Sequence, residues 1–194
     1  MTQQTDQQRA YHLIEPVYNK DSKILILGSF PSVKSREAMF FYHHPQNRFW
    51  KVLAGLFGEE SPETIPERKQ FLLGHNIALW DVIASCEITG SSDSSIRNVE
   101  VNDLEGMVKK TDIRHIYTNG GLADKLYHRY FDEKISLPVT KLPSTSPANA
   151  AGRKRSVGVQ RDNTPLRKRA EDTREMHDSI LFLGRINLQC YNER

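Results

Sequence analysis

The chain has 194 residues, 38% of them hydrophobic, with a mean hydropathy of −0.59 and a net charge of +3. That length suits one domain with a full core, and the longest apolar runs, 24–27 and 180–183, fall far short of the roughly 20 residues a membrane helix needs. Two cysteines, Cys86 and Cys190, are too few for a four-thiolate zinc or iron–sulfur centre, and the polar start Met-Thr-Gln-Gln-Thr-Asp-Gln-Gln lacks an apolar signal core, so export is not expected.

Residues 23–27 are a β-branched and leucine run closed by Gly28, the pattern of a first central strand. Phe49, Trp50, Leu53, Leu56 and Phe57 share one helical face, which predicts a helix over 47–57 stopped by Gly58. Thr64-x-x-Glu67 predicts a capping box and a helix through Phe71 and Leu72 that ends at Gly74. A second strand follows at 77–82. The Ser-rich stretch 85–98, with Gly90, reads as a loop. Asn102-x-x-Glu105 predicts a short helix to Lys110, and 113–118 a third strand ending in Asn119-Gly-Gly. A helix over 122–130 and a fourth strand over 137–142, ending at Pro143-Ser-Thr-Ser-Pro147, complete the series.

Strands alternating with helices imply parallel pairing and crossover connections. The expected architecture is a three-layer α/β/α sandwich around a central, mostly parallel four-stranded sheet, occupying residues 1–150. Its strand ends bring Gly28-Ser-Phe-Pro, Trp80-Asp81, Asn119-Gly and Pro143-Ser-Thr-Ser to one edge, where open α/β sheets bind ligands. Residues 151–194 read as a basic, irregular tail. There Arg153, Lys154, Arg155, Arg161, Arg167, Lys168, Arg169 and Arg174 face only Asp162, Glu171 and Asp172, a patch that attracts phosphate or simply stays solvated. Met176, Ile180, Leu183 and Ile186 leave helix and strand equally open.

Several chemistries lack their motifs. There is no Gly-x-x-x-x-Gly-Lys-Ser/Thr loop, no Gly-x-Gly-x-x-Gly after Leu27 and no Gly-x-Ser-x-Gly elbow. The adjacent pair His43-His44 has no accompanying ligand cluster, so neither metal nor cofactor is expected. What remains at the strand ends is a set of aromatics, carboxamides, small residues and hydroxyls. Excising a base from DNA asks for such a set, because the base must be flipped out, stacked and read along its edge. Phe30 or Tyr42 could supply the stacking ring, and Asn119 could offer its amide to a lactam edge of the kind hypoxanthine and uracil share. Gly28 lets the backbone approach a ligand, and the hydroxyls of Ser29, Ser32, Ser144 and Ser146 could hold DNA phosphates. Asp81 could touch base or water, or hold a loop N–H. Plainer roles stand beside these: Asn47 as a helix cap, Asn119 as a turn residue, Tyr42 as packing, and Phe49 and Trp50 as core.

Gly28-x-x-Pro followed by His44-Pro-x-Asn47-Arg-Phe-Trp-Lys51 resembles the first motif region of the mismatch-specific uracil glycosylases. Gly28-Ser-Phe-Pro-Ser32, Asn119-Gly and Leu142-Pro-Ser-Thr-Ser-Pro-Ala-Asn149 resemble the hypoxanthine-DNA glycosylase branch of the uracil-DNA glycosylase superfamily. In the mismatch-specific enzymes an asparagine two residues after the glycine positions water, and that place is Phe30 here. In the hypoxanthine branch the catalytic asparagine lies in the His-Pro-x-Asn segment, which is Asn47. The resemblance therefore implies a monofunctional glycosylase for deaminated bases, hypoxanthine foremost. Uracil or mismatched thymine is the alternative substrate, and a non-catalytic nucleic-acid-binding module the alternative function. It further implies DNA as the partner, no membrane, no cofactor, a monomer and a cytoplasmic location.

Overall fold

Both faces of the run Ile24-Leu-Ile-Leu are apolar, so both need cover. A computed structural model describes residues 8–147. In chain order it contains strands β1 (Gln8–Tyr11) and β2 (Ile24–Gly28), helices α1 (Val33–Glu37), α2 (Phe49–Phe57) and α3 (Ile65–Gly74), strands β3 (Ile77–Asp81), β4 (Ile83–Ile88) and β5 (Arg97–Val101), helix α4 (Leu104–Lys109), strand β6 (His115–Asn119), helix α5 (Gly121–Phe131) and strand β7 (Val139–Leu142). Strands pair in the order β3-β2-β6-β7, all parallel, and every residue of β2 is buried.

Successive strand residues point to opposite faces. Ile24 and Ile26, with Ile77, Leu79 and Tyr117, pack against Phe49, Trp50 and Leu53 of α2 and Phe71 and Leu72 of α3. Leu25 and Leu27, with Ala78 and Ile116, pack against Leu104 and Met107 of α4 and Leu126, Tyr127 and Phe131 of α5. Helices thus cover both faces of a four-stranded parallel sheet, and the three-layer α/β/α reading holds. Burial on both faces is why β2 shows no polar alternation.

The capping box at Thr64 forms as expected: Thr64 Oγ1 accepts the Glu67 N–H at 3.3 Å, and Glu67 Oε2 accepts the N–H groups of Thr64 and Glu63 at 2.9 Å each. These backbone bonds, Thr64 first, hold the Glu67 carboxyl below its ordinary range. A carboxyl depressed on folding adds stability above its unfolded pKa, and that is lost as acid titrates it. Thr64→Ala is expected to lower unfolding free energy by about 1 kcal/mol in urea titration at neutral pH, with the slope unchanged.

Three expectations need correction. The stretch read as a loop, 85–98, holds most of β4 and the start of β5, and with β1 these form an antiparallel sheet in the order β1-β4-β5. β4 buries Ile83, Cys86 and Ile88, whereas β5 is Arg-Asn-Val-Glu-Val, an edge strand with only Val99 and Val101 packed against the core and too short an alternation to announce it. Helix α4 starts at Leu104 and is capped by Asp103, whose carboxylate accepts the Gly106 N–H at 2.8 Å. Asn102 instead donates through Nδ2 to the carbonyls of Asp81 (2.9 Å) and Ile83 (3.2 Å). Its amide straddles the point where the chain leaves the parallel sheet and enters the antiparallel one. Helix α2 starts two residues later than the spacing suggested, at Phe49. The reading of 151–194 as a basic tail lies outside the described residues.

Candidate active site

Parallel pairing aligns the strand ends. Gly28 of β2 is in register with Asp81 of β3, and Asn119 of β6 with Leu142 of β7. Beyond them opens a cavity of about 550 Å³. Each predicted site residue lines it: Gly28, Ser29, Phe30, Ser32, Tyr42, Asn47, Asp81, Asn119, Ser144 and Ser146.

The floor is tightly built. A methyl group added at Gly28 would overlap Asp81 Oδ1 and come within 2.9 Å of the Tyr42 hydroxyl oxygen. Asp81 Oδ2 accepts from His12 Nε2 at 2.8 Å, with the His12 side chain fully buried and that of Asp81 5% exposed. Tyr42 sits at φ +50, a left-handed conformation that costs an aromatic residue energy, and its ring stacks on Phe49 with centroids 3.9 Å apart. Its hydroxyl is buried without a well-formed hydrogen bond. Burial, then the Asp81 carboxylate, push its pKa up, and the neighbouring Asn119 amide offsets only part, so the phenol stays neutral. Phe30 meets His12 edge-on, and the Arg36 guanidinium lies 5.4 Å from the Phe30 ring centre.

The rim is tied together across the chain. Asn119 Nδ2 donates to Thr145 Oγ1 at 3.0 Å, and Asn119 Oδ1 accepts the Thr145 N–H at 3.1 Å. Because the backbone N–H can only donate, the orientation of the Asn119 amide is fixed. One of its N–H groups and one oxygen lone pair remain beyond these two bonds. Arg48 binds the same loop from α2, its N–H donating to the Thr145 carbonyl at 3.2 Å and its guanidinium to the Ser144 carbonyl at 3.4 Å. Gly120, at φ +101, lets the loop approach, since a side chain there would press on Ser144. Asn47 Oδ1 accepts the Phe49 N–H at 2.9 Å, a turn bond from one residue before the N-cap of α2, which is Arg48 and not Asn47 as the capping reading had it. Ser32 Oγ accepts the Ser35 N–H at 3.3 Å and caps α1, while Ser35 Oγ receives the His43 N–H at 3.2 Å. Ser144 Oγ accepts the Ser146 N–H at 3.2 Å. These hydroxyls shape the loops they sit in.

Two residues of the site were not singled out by the sequence. Thr145 lies inside the Pro-Ser-Thr-Ser-Pro segment, where the flanking serines drew attention instead. His12 stands 69 residues from Asp81, before the first apolar strand and outside any motif.

A sequence model of the Uracil DNA glycosylase superfamily matches residues 15–173. A hypoxanthine DNA glycosylase of Methanosarcina acetivorans is 35% identical over 139 residues, covering 69% of this chain and 84% of that protein. A hypoxanthine DNA glycosylase of Methanosarcina barkeri is 35% identical over 90 residues, covering 46% of this chain and 57% of that protein. The fold also superposes, with a TM-score of 0.63 and 31% identity, on a solution NMR structure described as a candidate uracil DNA glycosylase from M. acetivorans, covering 71% of this chain and 86% of that one. With the superfamily model spanning the strand ends that line the cavity, the chain belongs to the uracil DNA glycosylase superfamily.

Proposed function

We propose that the protein is a monofunctional DNA glycosylase that hydrolyses the N-glycosidic bond of deaminated bases, hypoxanthine in deoxyinosine foremost. The observation that carries this reading is the Asn119 amide, locked by Thr145 in one orientation with one N–H beyond that pair of bonds, in the same cavity as the Asn47 carboxamide. The two relatives named for hypoxanthine excision favour that base over uracil. The proposed substrate is DNA carrying the damaged base, met in the cytoplasm by a monomer that uses no cofactor.

The base leaves the stack and enters the cavity. Phe49 occupies one face of the Tyr42 ring, which leaves the opposite face for the base. The second Asn119 N–H donates to the ring carbonyl, and the ring N–H beside it goes to a different acceptor in the cavity. Water adds to C1′ as the bond from C1′ to the base breaks with its electron pair on the base. The water proton passes to solvent, and the departing base regains one there. Asn47 cannot take that proton, because an amide is not basic near neutral pH. It orients the water through its carbonyl oxygen, which keeps a lone pair after accepting the Phe49 N–H. The N-terminus of α5 at Gly121, on the cavity wall, suits a DNA phosphate.

Duplexes containing deoxyinosine, deoxyuridine or a thymine mismatch, incubated with the protein and then cleaved at abasic sites by alkali, test this directly. Deoxyinosine strands are expected to break fastest. Equal breakage of all three, or none, would overturn the assignment.

A further inference from the structure

We infer that His12 is a positioning residue that turns Asp81 into the acceptor for the ring N–H of the extruded base, and thereby sets the preference for lactam-edged bases over adenine. This rests on the glycosylase reading above.

His12 follows β1, and its backbone N–H donates to the Ala84 carbonyl at 2.8 Å. Its ring lies between aromatics, with Phe30 edge-on at 6.2 Å and Phe41 tilted at 5.8 Å. Asp81 is the one polar partner of the ring among the described residues: Nε2 lies 2.8 Å from Oδ2, and Nδ1 is buried with no partner. That pattern selects a tautomer. For Nε2 to donate to a carboxylate it must carry the proton, and in neutral imidazole Nδ1 is then a bare lone pair. Nε2 is therefore the donor and Oδ2 the acceptor of this bond.

The arrangement divides the carboxylate. Oδ2 is taken by His12. Oδ1 lies over the Gly28 Cα, receives no hydrogen bond from any described residue, and belongs to a side chain that lines the cavity. A nearly buried carboxylate oxygen without a donor invites one. Asp81 Oδ1 and the Tyr42 hydroxyl both crowd Gly28, and Asn119 lines the same cavity. Asn119 oxygen already holds the Thr145 N–H, whereas Asp81 brings a full charge and the stronger hydrogen bond. The ring N–H of hypoxanthine or uracil goes to Asp81 Oδ1, and the adjacent ring carbonyl to the free Asn119 N–H. Adenine presents a lone pair at that ring position, and a carboxylate facing it repels. Guanine shares the lactam edge, so this pair does not reject it. Nor does a carboxylate help the base depart as an anion, so the task of Asp81 is recognition.

The test uses duplexes that bind without turnover, with 2′-fluorinated deoxyinosine or 2′-fluorinated deoxyadenosine, since fluorine disfavours a cationic sugar. The readout is the ratio of the two dissociation constants, which general loosening of the pocket leaves unchanged. In wild type the inosine duplex is expected to bind more tightly. His12→Phe keeps the ring among its aromatic neighbours and removes the N–H, and should cut the ratio about tenfold. His12→Gln, whose amide nitrogen reaches the place of Nε2, should restore it, and His12→Asn, which is too short, should not. An unchanged ratio in a folded His12→Phe, as judged by circular dichroism, overturns the inference, and so does wild type with no inosine preference. If His12→Phe does not fold, equal ratios for the Gln and Asn variants overturn it, and a ratio kept only by Gln supports it. Failure of the underlying reading would be seen separately, as wild type that breaks no deoxyinosine strands under alkali.

Discussion

Asn47→Ala is expected to slow single-turnover excision of hypoxanthine by about 10²–10³, the usual cost of removing one positioned polar group, with affinity for the damaged duplex nearly unchanged. The Asn47 carbonyl does two things at once. It accepts the Phe49 N–H at the start of α2, and in the proposed mechanism it keeps a lone pair for water. The first role alone predicts only a stability loss of about 1 kcal/mol in the alanine variant. Asn47→Ser separates the two, because a serine hydroxyl can also accept the N–H two residues on but carries no carboxamide. A serine variant with wild-type melting temperature and alanine-like excision places the amide in the chemistry. A serine variant as active as wild type would reduce Asn47 to a turn residue. The two roles are compatible in a physical sense: a turn bond that pins χ1 and χ2 removes the rotamer freedom that a water-holding group would otherwise lose on each turnover.

The parallel core was legible in the sequence because its signals are local. β2 is a continuous apolar run, α2 shows a single buried stripe, and Thr64 and Glu67 announce their helix three residues apart. The pocket was legible for a related reason. Parallel strands all end on one side, so the residues following each apolar run meet at one edge whatever the details of the loops. The second sheet was not legible. β1 and β5 are mostly polar, with only Ala10, Val99 and Val101 packed on the core, and their backbones are satisfied by β4, a relation between segments that no window of sequence displays. β4 itself carries buried Ile83, Ser85, Cys86 and Ile88, but Ser85 and the serines that follow the strand blurred its pattern. His12 was hidden by the same cause, since the antiparallel pairing of β1 with β4 is what delivers it to Asp81.

Gly28→Ala is expected to cost both stability and activity, because the pocket floor has no room for one methyl group. The added carbon would overlap Asp81 Oδ1 and crowd the Tyr42 hydroxyl. Neither can withdraw cheaply. Asp81 is held by His12 on its other oxygen, and Tyr42 is pinned by its stack on Phe49 and by a left-handed backbone. β2 cannot shift either, since it is paired to β3 on one side and β6 on the other. Overpacking of this kind costs about 1–3 kcal/mol, and a displacement of about 1 Å in a positioned group costs about 10²-fold in rate. Thermal unfolding and single-turnover excision should therefore both fall in Gly28→Ala. Gly55→Ala is the matched control: it lies within α2 with nothing within 4 Å of the added carbon, so it should raise stability by about 0.4–1 kcal/mol and leave excision unchanged. Parallel losses in the two variants would mean that glycine content, and not the closeness of Asp81 and Tyr42 to β2, governs the effect. A stable and active Gly28→Ala would show that the carboxylate of Asp81 moves freely, against the fixed floor on which the proposed base recognition depends.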